Sequence, residues 1–244
     1  RTFTHGKTFG DFPIRKINNL DEQEIEFKRK LQQNVLWTLK TARLRKKYCP
    51  NIELFIPVQA YNLKQFEIFY KKIRIVDFDG FCIPVRNMSI LDIAAFLFKM
   101  HEWGVRRVHI LGSSSLSVIS LCAYMSRYFD WISFDSTTWR ISAYHGVFLL
   151  PRDLSAQRLT KEWSYDHNYC CQCKSCKGRT LARLAALDRR ERKKVLMAHN
   201  YLAIQNLTDR LGKVNFDSKY LRKILSGSKR SDAEKIIKNI SAVE

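Results

Sequence analysis

Short, continuous apolar runs recur along the first 136 residues of the chain, and a stretch with helical periodicity follows each of them. The runs occupy positions 8–14, 52–59, 78–84, 107–112 and 131–136. Strands that are buried on both faces of a sheet give continuous apolar runs rather than an alternating pattern. Because strand and helix alternate in this way, the chain predicts five βα-type units that build a parallel α/β sheet.

The stretches between the runs carry the periodicity and the end signals of helices. The first begins near Asp21 and repeats Leu31, Val35 and Leu39 at four-residue intervals, which predicts the apolar face of a long helix. Ser89 is typical of the N-cap of a later helix. These helices would connect successive strands of the sheet.

The pattern changes after the last strand. Positions 141–150 predict an extended or hairpin excursion, and helical periodicity returns after a cluster of cysteines. A (β/α)8 barrel and a doubly wound sheet both fit the five units. The predicted organisation is a partial barrel-type catalytic region at 1–150, a zinc-binding subdomain with closing helices at 151–212 and a basic helical tail at 213–244.

The cysteine cluster imposes the most specific chemical requirement in the chain. Cys171, Cys173 and Cys176, with His199 on a predicted helix, supply the four sulfur and nitrogen ligands that a tetrahedral zinc ion takes. Cysteines without a ligand and a disulfide knot are the alternatives. The other cysteines outside the cluster stand singly in apolar runs, as reduced thiols do, which favours a reducing compartment.

The charge of the chain points to a polyanionic partner. Lysine and arginine number 43 against 23 acidic residues, for a formal charge of +20. Nucleic acid is the first interpretation, while an anionic membrane surface and an inert basic surface are the alternatives. No apolar run is long enough to cross a bilayer, and residues 1–10 lack the apolar region of a signal peptide. We therefore expect a soluble, cytoplasmic protein.

Polar side chains collect where the predicted strands end, which is where active sites lie in either architecture. Asp135 is the candidate nucleophile, and a helix cap or a salt-bridged aspartate is the alternative. Gln59 and Asp11 follow two other strands and carry groups suited to a base edge. His109, inside an apolar strand, is predicted to be a core histidine with a satisfied ring. The chain has no dinucleotide-binding or P-loop signature.

Several of these motifs, in this order, resemble the tRNA-guanine transglycosylase superfamily. The triplet at 134–136 resembles its nucleophile motif, and the spacing of the cysteines with His199-Asn200 resembles its zinc set. Val58-Gln59 is similar to its base-recognition segment, and the strand that ends in Leu111-Gly112 is similar to another of its motifs. The resemblance extends from about residue 30 to 210 and selects the (β/α)8 TIM-barrel type of fold.

The resemblance implies that the protein exchanges guanine in nucleic acid for a free 7-deazaguanine base. Asp135 would attack C1′ of the guanosine, zinc would be the cofactor, and the sequence after Asp135 favours DNA over tRNA. A homodimer or a partner subunit is compatible with it. The residues implied for base binding are Asp11, Gln59, Leu111 and Gly112. The basic residues expected to hold phosphates are Arg140, Arg179, Arg183, Arg189 and Lys194.

The chain also departs from the family pattern. Ala60 replaces a glycine, and Pro84-Val85-Arg86 stands where the family has Gly-Gly-Leu. A second catalytic aspartate motif is absent, and a closed barrel needs eight strands, so about three units are expected before Arg1. The alternatives are a non-catalytic zinc-containing subunit that binds nucleic acid or a partner, an enzyme of the tRNA type, and a zinc-finger DNA reader.

Overall fold

The protein is described here by a computed structural model, which covers residues 19–85 and 88–214. These residues form two compact units. The first unit holds 19–85, 88–112 and 124–135, and the second holds 113–123 and 136–214. Compact units are not by themselves independent domains, so the domain bounds predicted from the sequence stay a prediction.

Helices and strands alternate along the first unit and continue into the second. The elements are α1 (Leu20–Tyr48), β1 (Phe55–Pro57), α2 (Leu63–Ile73), β2 (Gly80–Pro84), α3 (Ile90–Glu102), β3 (Arg107–Leu111), α4 (Leu116–Met125), β4 (Trp131–Phe134), α5 (Thr138–Tyr144), β5 (Val147–Leu149), β6 (Ala156–Arg158), α6 (Leu181–Ala185) and α7 (Arg189–Leu211). A short 3-10 turn spans Glu162–Ser164. None of the described helices is long and apolar enough to cross a membrane.

Strands β1 to β4 form a parallel sheet in the order β1-β2-β3-β4. Their register places Pro57, Cys82, His109 and Ser133 in one lateral row. Right-handed crossovers that always advance in one direction put the connecting helices on one face of a sheet. The predicted parallel α/β sheet is thus confirmed for four strands, while the predicted strand at 8–14 lies outside the described residues. The described strands form an open sheet, so the eight-stranded barrel stays a prediction.

The two faces of this sheet differ in burial. The fully buried positions are Phe81, Ile83, Val108 and Ile110. Phe66 of α2 packs edge-on against Phe81, with 5.5 Å between the ring centroids. Cys82 and His109, which alternate with the buried positions, are only half-buried. The expectation of strands buried on both faces is therefore wrong for the described sheet, because α2 covers one face and the row of Cys82 and His109 lies on the other.

Helix α1 buries a different face from the predicted one. Leu31 and Val35 are half-buried, and Leu39 is 37% exposed. The buried side chains are Phe27, Lys30, Asn34 and Thr38. Each of the buried positions 30, 34 and 38 precedes a predicted position by one residue, so the buried face is rotated by about 100° from the predicted one.

The ends of the helices follow their sequence signals. Ser89 and Asp92 form a reciprocal capping box at the start of α3, which confirms the predicted N-cap. At the end of α1, the Arg45 guanidinium contacts Asp79, 2.9 Å away. Asp79 also accepts a hydrogen bond from the Leu54 N–H at 2.6 Å. Arg45 and Asp79 therefore fix the end of α1 to the segment that enters the sheet.

The second unit is built on α7 and a two-stranded antiparallel hairpin of β5 and β6. The prediction of an extended excursion at 141–150 is wrong in its first half, because helix α5 continues to Tyr144 and the strand begins at Val147. Gly146 lies between them with a left-handed φ of 67°, and a Cβ there would meet the Thr160 side chain at 2.5 Å. The core of this unit includes Phe148, Leu159, Leu181, Leu184 and Leu196.

Candidate metal centre and the carboxyl end of the sheet

Four potential metal ligands converge in the second unit. Cys171, Cys173 and Cys176 lie in the loop before α6, and His199 projects from α7. Their ligand atoms all lie within 4.8 Å of one another. The histidine Nδ1 is 3.5 Å from the sulfur of Cys171, 3.3 Å from that of Cys173 and 3.5 Å from that of Cys176.

These distances fit a tetrahedral zinc site. With zinc–sulfur and zinc–nitrogen bonds of about 2.3 and 2.0–2.1 Å, tetrahedral geometry separates sulfur from nitrogen by roughly 3.5 Å. His199, Cys171 and Cys176 are buried, and Cys173 is half-buried. A set of three thiolates and one imidazole is the ligand set that zinc takes in closed structural sites. The predicted Cys3His group is confirmed as a candidate metal centre that is compatible with zinc.

The orientation of His199 is fixed from its other side. Its Nε2 lies 2.8 Å from the Leu149 carbonyl oxygen. A carbonyl can only accept, so Nε2 carries the proton and the lone pair of Nδ1 faces the three sulfurs. The ring also stacks on Phe148, with 3.7 Å between centroids. The histidine is therefore held in the tautomer that a metal requires.

The cysteine loop reaches its shape through backbone hydrogen bonds and two left-handed residues. Lys177 and Gly178 have φ values of 52° and 72°. The Lys177 N–H donates to the Cys173 carbonyl at 2.9 Å, and the Gly178 N–H donates to the Cys171 carbonyl at 3.1 Å. The Cys176 N–H points at the Cys173 sulfur, 3.4 Å away. A thiolate is stabilised by such a bond, so the loop is arranged for sulfur ligands.

Two thiols of the cluster, those of Cys171 and Cys176, have opposite tendencies to ionise. A hydrogen bond from the Cys176 side chain, with a further contribution from His199, lowers the pKa of Cys171 to about 4, against the effect of burial. The same hydrogen bond, with burial, raises the pKa of Cys176. Three neighbouring thiolates repel one another, and a divalent cation between them removes that conflict.

Asn200, the neighbour of His199, holds the strand beside the metal centre. It is fully buried, and its Oδ1 accepts from the Leu149 N–H at 2.9 Å. Its Nδ2 donates to the Val147 carbonyl at 2.9 Å and to the Trp139 carbonyl at 3.3 Å. Two consecutive residues of α7 thus fix β5 to the helix. The clamping role of Asn200 is not visible in the sequence, because it depends on which strand lies beside α7.

In the first unit, Asp135 follows β4 at the carboxyl end of the sheet. Its Oδ1 accepts from the Gly112 N–H at 2.7 Å, and its own N–H donates to the Ile110 carbonyl at 3.0 Å. Gly112 adopts a left-handed φ of 89°, which a residue with a side chain rarely adopts. The Asp135 side chain is 61% exposed. The structure thus places the predicted nucleophile at the expected end of the sheet, with one oxygen oriented.

His109 differs from its prediction as a core histidine, since it lies on the half-buried face. Its Nδ1 is 2.6 Å from the Ser133 Oγ, and its Nε2 is 3.9 Å from Oδ2 of Asp135. Cys82 is its lateral neighbour on β2. Burial, with a smaller contribution from the charge of Asp135, raises the pKa of Cys82 to about 11, so this thiol is neutral near pH 7. Successive side chains of a strand point to opposite faces. This alternation, rather than the apolar content of the strand, would have revealed that His109 lies beside Cys82 and Asp135.

The residues implied for base binding are distributed unevenly. Gly112 contacts Asp135, and Leu111 ends β3 beside them. Gln59 is 5% exposed, its Oε1 has no hydrogen-bond partner among the described residues, and it lines a cavity of about 260 Å³ with Trp37. Asp135 is not among the described residues that line that cavity. Asp11 lies outside the described residues, as does Arg86.

The basic residues expected to hold phosphates all lie in the second unit. Arg140 lies 5.8 Å from the centre of the Tyr144 ring, and Arg189 lines a groove beside the same tyrosine. Arg183 and Lys194 are exposed on α6 and α7. Arg179 belongs to the cysteine loop, where its carbonyl accepts from the Cys171 N–H. Phosphate binding by these five residues stays a prediction.

The sheet and the cysteine cluster define the class of the protein as mixed α/β, with a candidate zinc centre of Cys3His type. Comparison with protein-family models gives no matching family, and comparison with curated proteins gives no matching relative. The resemblance to the transglycosylases therefore rests on the motifs alone.

Proposed function

We propose that this protein exchanges guanine in nucleic acid, with DNA as the preferred substrate, for a 7-deazaguanine base. The observation that supports this proposal most strongly is the position of Asp135. Its carboxylate stands at the carboxyl end of a parallel strand, one oxygen is oriented by the Gly112 N–H, and 61% of the side chain is exposed. A nucleophile for a sugar carbon needs this combination of fixed direction and access.

The chemistry that we propose consists of two displacements at one carbon. An Asp135 oxygen attacks C1′, the glycosidic bond to guanine breaks, and the departing base takes the electron pair of that bond and one proton from water. The incoming 7-deazaguanine then attacks C1′, the ester bond to Asp135 breaks, and the base gives up one proton. Atoms and protons balance over the cycle, and two inversions retain the configuration of the sugar.

The target nucleotide has to leave its stack before Asp135 can reach C1′. Enzymes that act on a base in a duplex pay a few kcal/mol to extrude the nucleotide and then read its exposed edge. In this proposal Gln59, Leu111, Gly112 and Asp11 read that edge. The unpaired Oε1 of Gln59 is a buried acceptor without a donor among the described residues, which is the state expected of a group whose partner is a ligand.

The metal has a structural part in this proposal. Cys171, Cys173, Cys176 and His199 would hold a zinc ion, which when bound neutralises the thiolates and cross-links the cysteine loop to α7. Four protein ligands complete a tetrahedron and leave no position for substrate or water. The reaction therefore depends on Asp135, and zinc stabilises the second unit.

The proposal is tested by incubating the full gene product with DNA and an isotopically labelled 7-deazaguanine, followed by mass spectrometry of the nucleosides. We expect label in the DNA and a covalent adduct between Asp135 and the nucleic acid. Asp135→Asn should reduce exchange by three orders of magnitude or more, as loss of a catalytic side chain does in other enzymes. Asp130→Asn, an exposed aspartate five positions earlier, is the matched control and should retain activity. Equal exchange in the two variants would contradict the assignment of Asp135 as the nucleophile.

A second candidate is a non-catalytic zinc-containing subunit that binds nucleic acid or a partner chain. It is favoured by the open sheet of the described residues, in which β1 and β4 are both edge strands. Unpaired edges invite pairing with another chain. The same assay separates the candidates, since a binding subunit would retain DNA without label or adduct. Replacing DNA by tRNA in a parallel reaction tests the tRNA-type alternative.

A further inference from the structure

A basic groove in the second unit is independent of Asp135. It has a volume of about 500 Å³, and no acidic side chain is among its described lining residues. This size is within the range of small-molecule sites, about 300–1,000 Å³. The side chains and backbone that line it are Ala143, Tyr144, His145, Gly146, Thr160, Arg189, Arg190, Arg192 and Lys193.

The helix period explains why the cations share one wall. Arg189 and Lys193 are four residues apart on α7 and therefore lie on the same face, one turn from each other. Arg192 is fixed by a hydrogen bond from its Nη1 to the Ala185 carbonyl at 2.7 Å. Asp188 is engaged as the N-cap of α7, where it accepts from the N–H groups of Arg190 and Glu191. These backbone hydrogen bonds, with smaller contributions from the charges of Arg190 and Lys194, lower the pKa of Asp188, so its carboxylate caps the helix and also lies within electrostatic reach of Arg190.

Tyr144 lines the groove in direct contact with one of these cations. The Lys193 Nζ lies 3.1 Å from the centre of its ring, and Arg140 lies 5.8 Å away, one turn earlier on α5. Tyr144 is 50% exposed. The polar interaction and charge of Lys193, with a smaller contribution from Arg140, hold the pKa of the tyrosine hydroxyl below its usual range. The groove therefore offers a hydroxyl donor surrounded by fixed cations.

We propose that this groove binds the phosphodiester backbone of a nucleic acid, with Lys193, Arg190 and the Tyr144 hydroxyl as the phosphate contacts. Cations and hydroxyls in a concave surface are the groups that hold phosphates and fix the register of a nucleic acid without reading its sequence. The formal charge of +20 gives the chain the long-range attraction that such a partner needs. An anionic membrane fits less well, because membrane-binding surfaces combine basic residues with a protruding apolar face, whereas this groove is concave and Ala143 is the one aliphatic side chain among its described lining residues.

Tyr144 acts here as a positioning residue as well as a donor. Its ring holds the Lys193 ammonium through a cation–π contact, which is worth about 0.5–1 kcal/mol at an exposed site. Tyr144→Phe keeps the ring and removes the hydroxyl, whereas Tyr144→Leu removes both. We expect a smaller loss of affinity in the first variant than in the second.

The test is binding of a fluorescently labelled single-stranded oligonucleotide, measured by anisotropy over a range of salt concentrations. Removing two phosphate contacts with Arg190→Gln and Lys193→Gln together should weaken binding by about tenfold and lower the salt slope by about 1.4. Lys71→Gln with Lys72→Gln removes the same charge from an exposed helix of the first unit and is the matched control. An equal loss of affinity in the two variant pairs would overturn the proposal that the groove binds phosphates, because the loss would then reflect only the change in net charge.

Further experiments distinguish a nucleic acid from free phosphate and from lipid headgroups as the ligand. They also separate this proposal from the exchange reaction. In an Asp135→Asn background, which should lose exchange, Arg190→Gln with Lys193→Gln should still lower the affinity for the oligonucleotide and the salt slope, so failure of the exchange reaction leaves the groove intact. Inorganic phosphate at equal phosphate concentration should compete weakly. Binding to vesicles that contain phosphatidylserine should be the same for the groove pair of substitutions as for the control pair. Groove-dependent binding to vesicles without groove-dependent binding to the oligonucleotide would overturn the proposal. Zinc content and thermal melting confirm that each variant is folded.

Discussion

The metal centre of the second unit and the carboxyl end of the sheet in the first unit are built on opposite principles. In the metal centre every ligand is fixed by a further hydrogen bond or by packing, as in the bond from His199 to the Leu149 carbonyl. At the sheet end, Asp135 is mostly exposed and a single N–H orients one of its oxygens. A closed, buried cluster is suited to stability, whereas an exposed and partly oriented carboxylate is suited to chemistry.

The two regions also treat cysteine in opposite ways. In the cluster, a hydrogen bond from Cys176 lowers the pKa of Cys171 and raises that of Cys176. At the sheet end, burial raises the pKa of Cys82. A high pKa keeps a thiol such as Cys82 inert, whereas Cys176 belongs to a ligand set in which a bound metal would displace its proton. The position of a cysteine in the fold therefore decides its role.

The largest expected effect is loss of the metal ligand Cys173. Cys173→Ser should abolish stoichiometric zinc binding and destabilise the second unit by more than about 3 kcal/mol, because metal-binding energy in such sites is folding energy. Zinc content by elemental analysis and thermal melting measure the two effects. Cys170→Ser is the matched control, since Cys170 is exposed and lies outside the ligand set. Full zinc content and stability in Cys173→Ser would remove the structural role of the centre.

An intermediate effect is expected from Asn200. Asn200→Ala leaves the buried N–H of Leu149 and the carbonyl of Val147 without their partner, and we expect a loss of about 2–4 kcal/mol in the free energy of unfolding. Zinc should remain bound, because His199 is unchanged. Asn206→Ala, on an exposed position of the same helix, should change stability by less than about 0.5 kcal/mol. Denaturant unfolding measures both, and equal values would show that the clamp does not contribute.

The sequence predicted those features that depend on local pattern. Four parallel strands followed from apolar runs between helical stretches, and the three cysteines of the Cys3His group followed from their spacing within a short loop. Both signals need few assumptions about tertiary structure. The N-cap at Ser89 is of the same kind, because a capping box involves residues only three positions apart.

The features that the sequence did not reveal depend on which elements meet. His109 looked like a core residue because its strand is apolar, but burial alternates along that strand, with Val108 and Ile110 buried and His109 half-buried. The clamp by Asn200 depends on β5 lying beside α7. The basic groove needs α5 and α7 side by side, so Lys193 and Tyr144 meet across 49 positions of sequence. Periodicity along one segment carries no information about such pairs.

The smallest expected effect concerns the reactivity of Cys82. Because its pKa is raised to about 11, its thiolate fraction near pH 8 is on the order of a thousandth, and alkylation by iodoacetamide should be slow. The exposed Cys49 is the internal control and should react faster by about two orders of magnitude, as followed by peptide mass spectrometry. The rate at Cys82 should rise as the pH approaches 11, because a raised pKa delays loss of the proton.

Asp135→Asn removes the smaller, electrostatic part of the shift, so it should speed alkylation of Cys82 a few-fold at pH 8 without affecting Cys49. An unchanged rate at Cys82 in that variant would show that the Asp135 charge does not reach the face on which His109 and Cys82 lie.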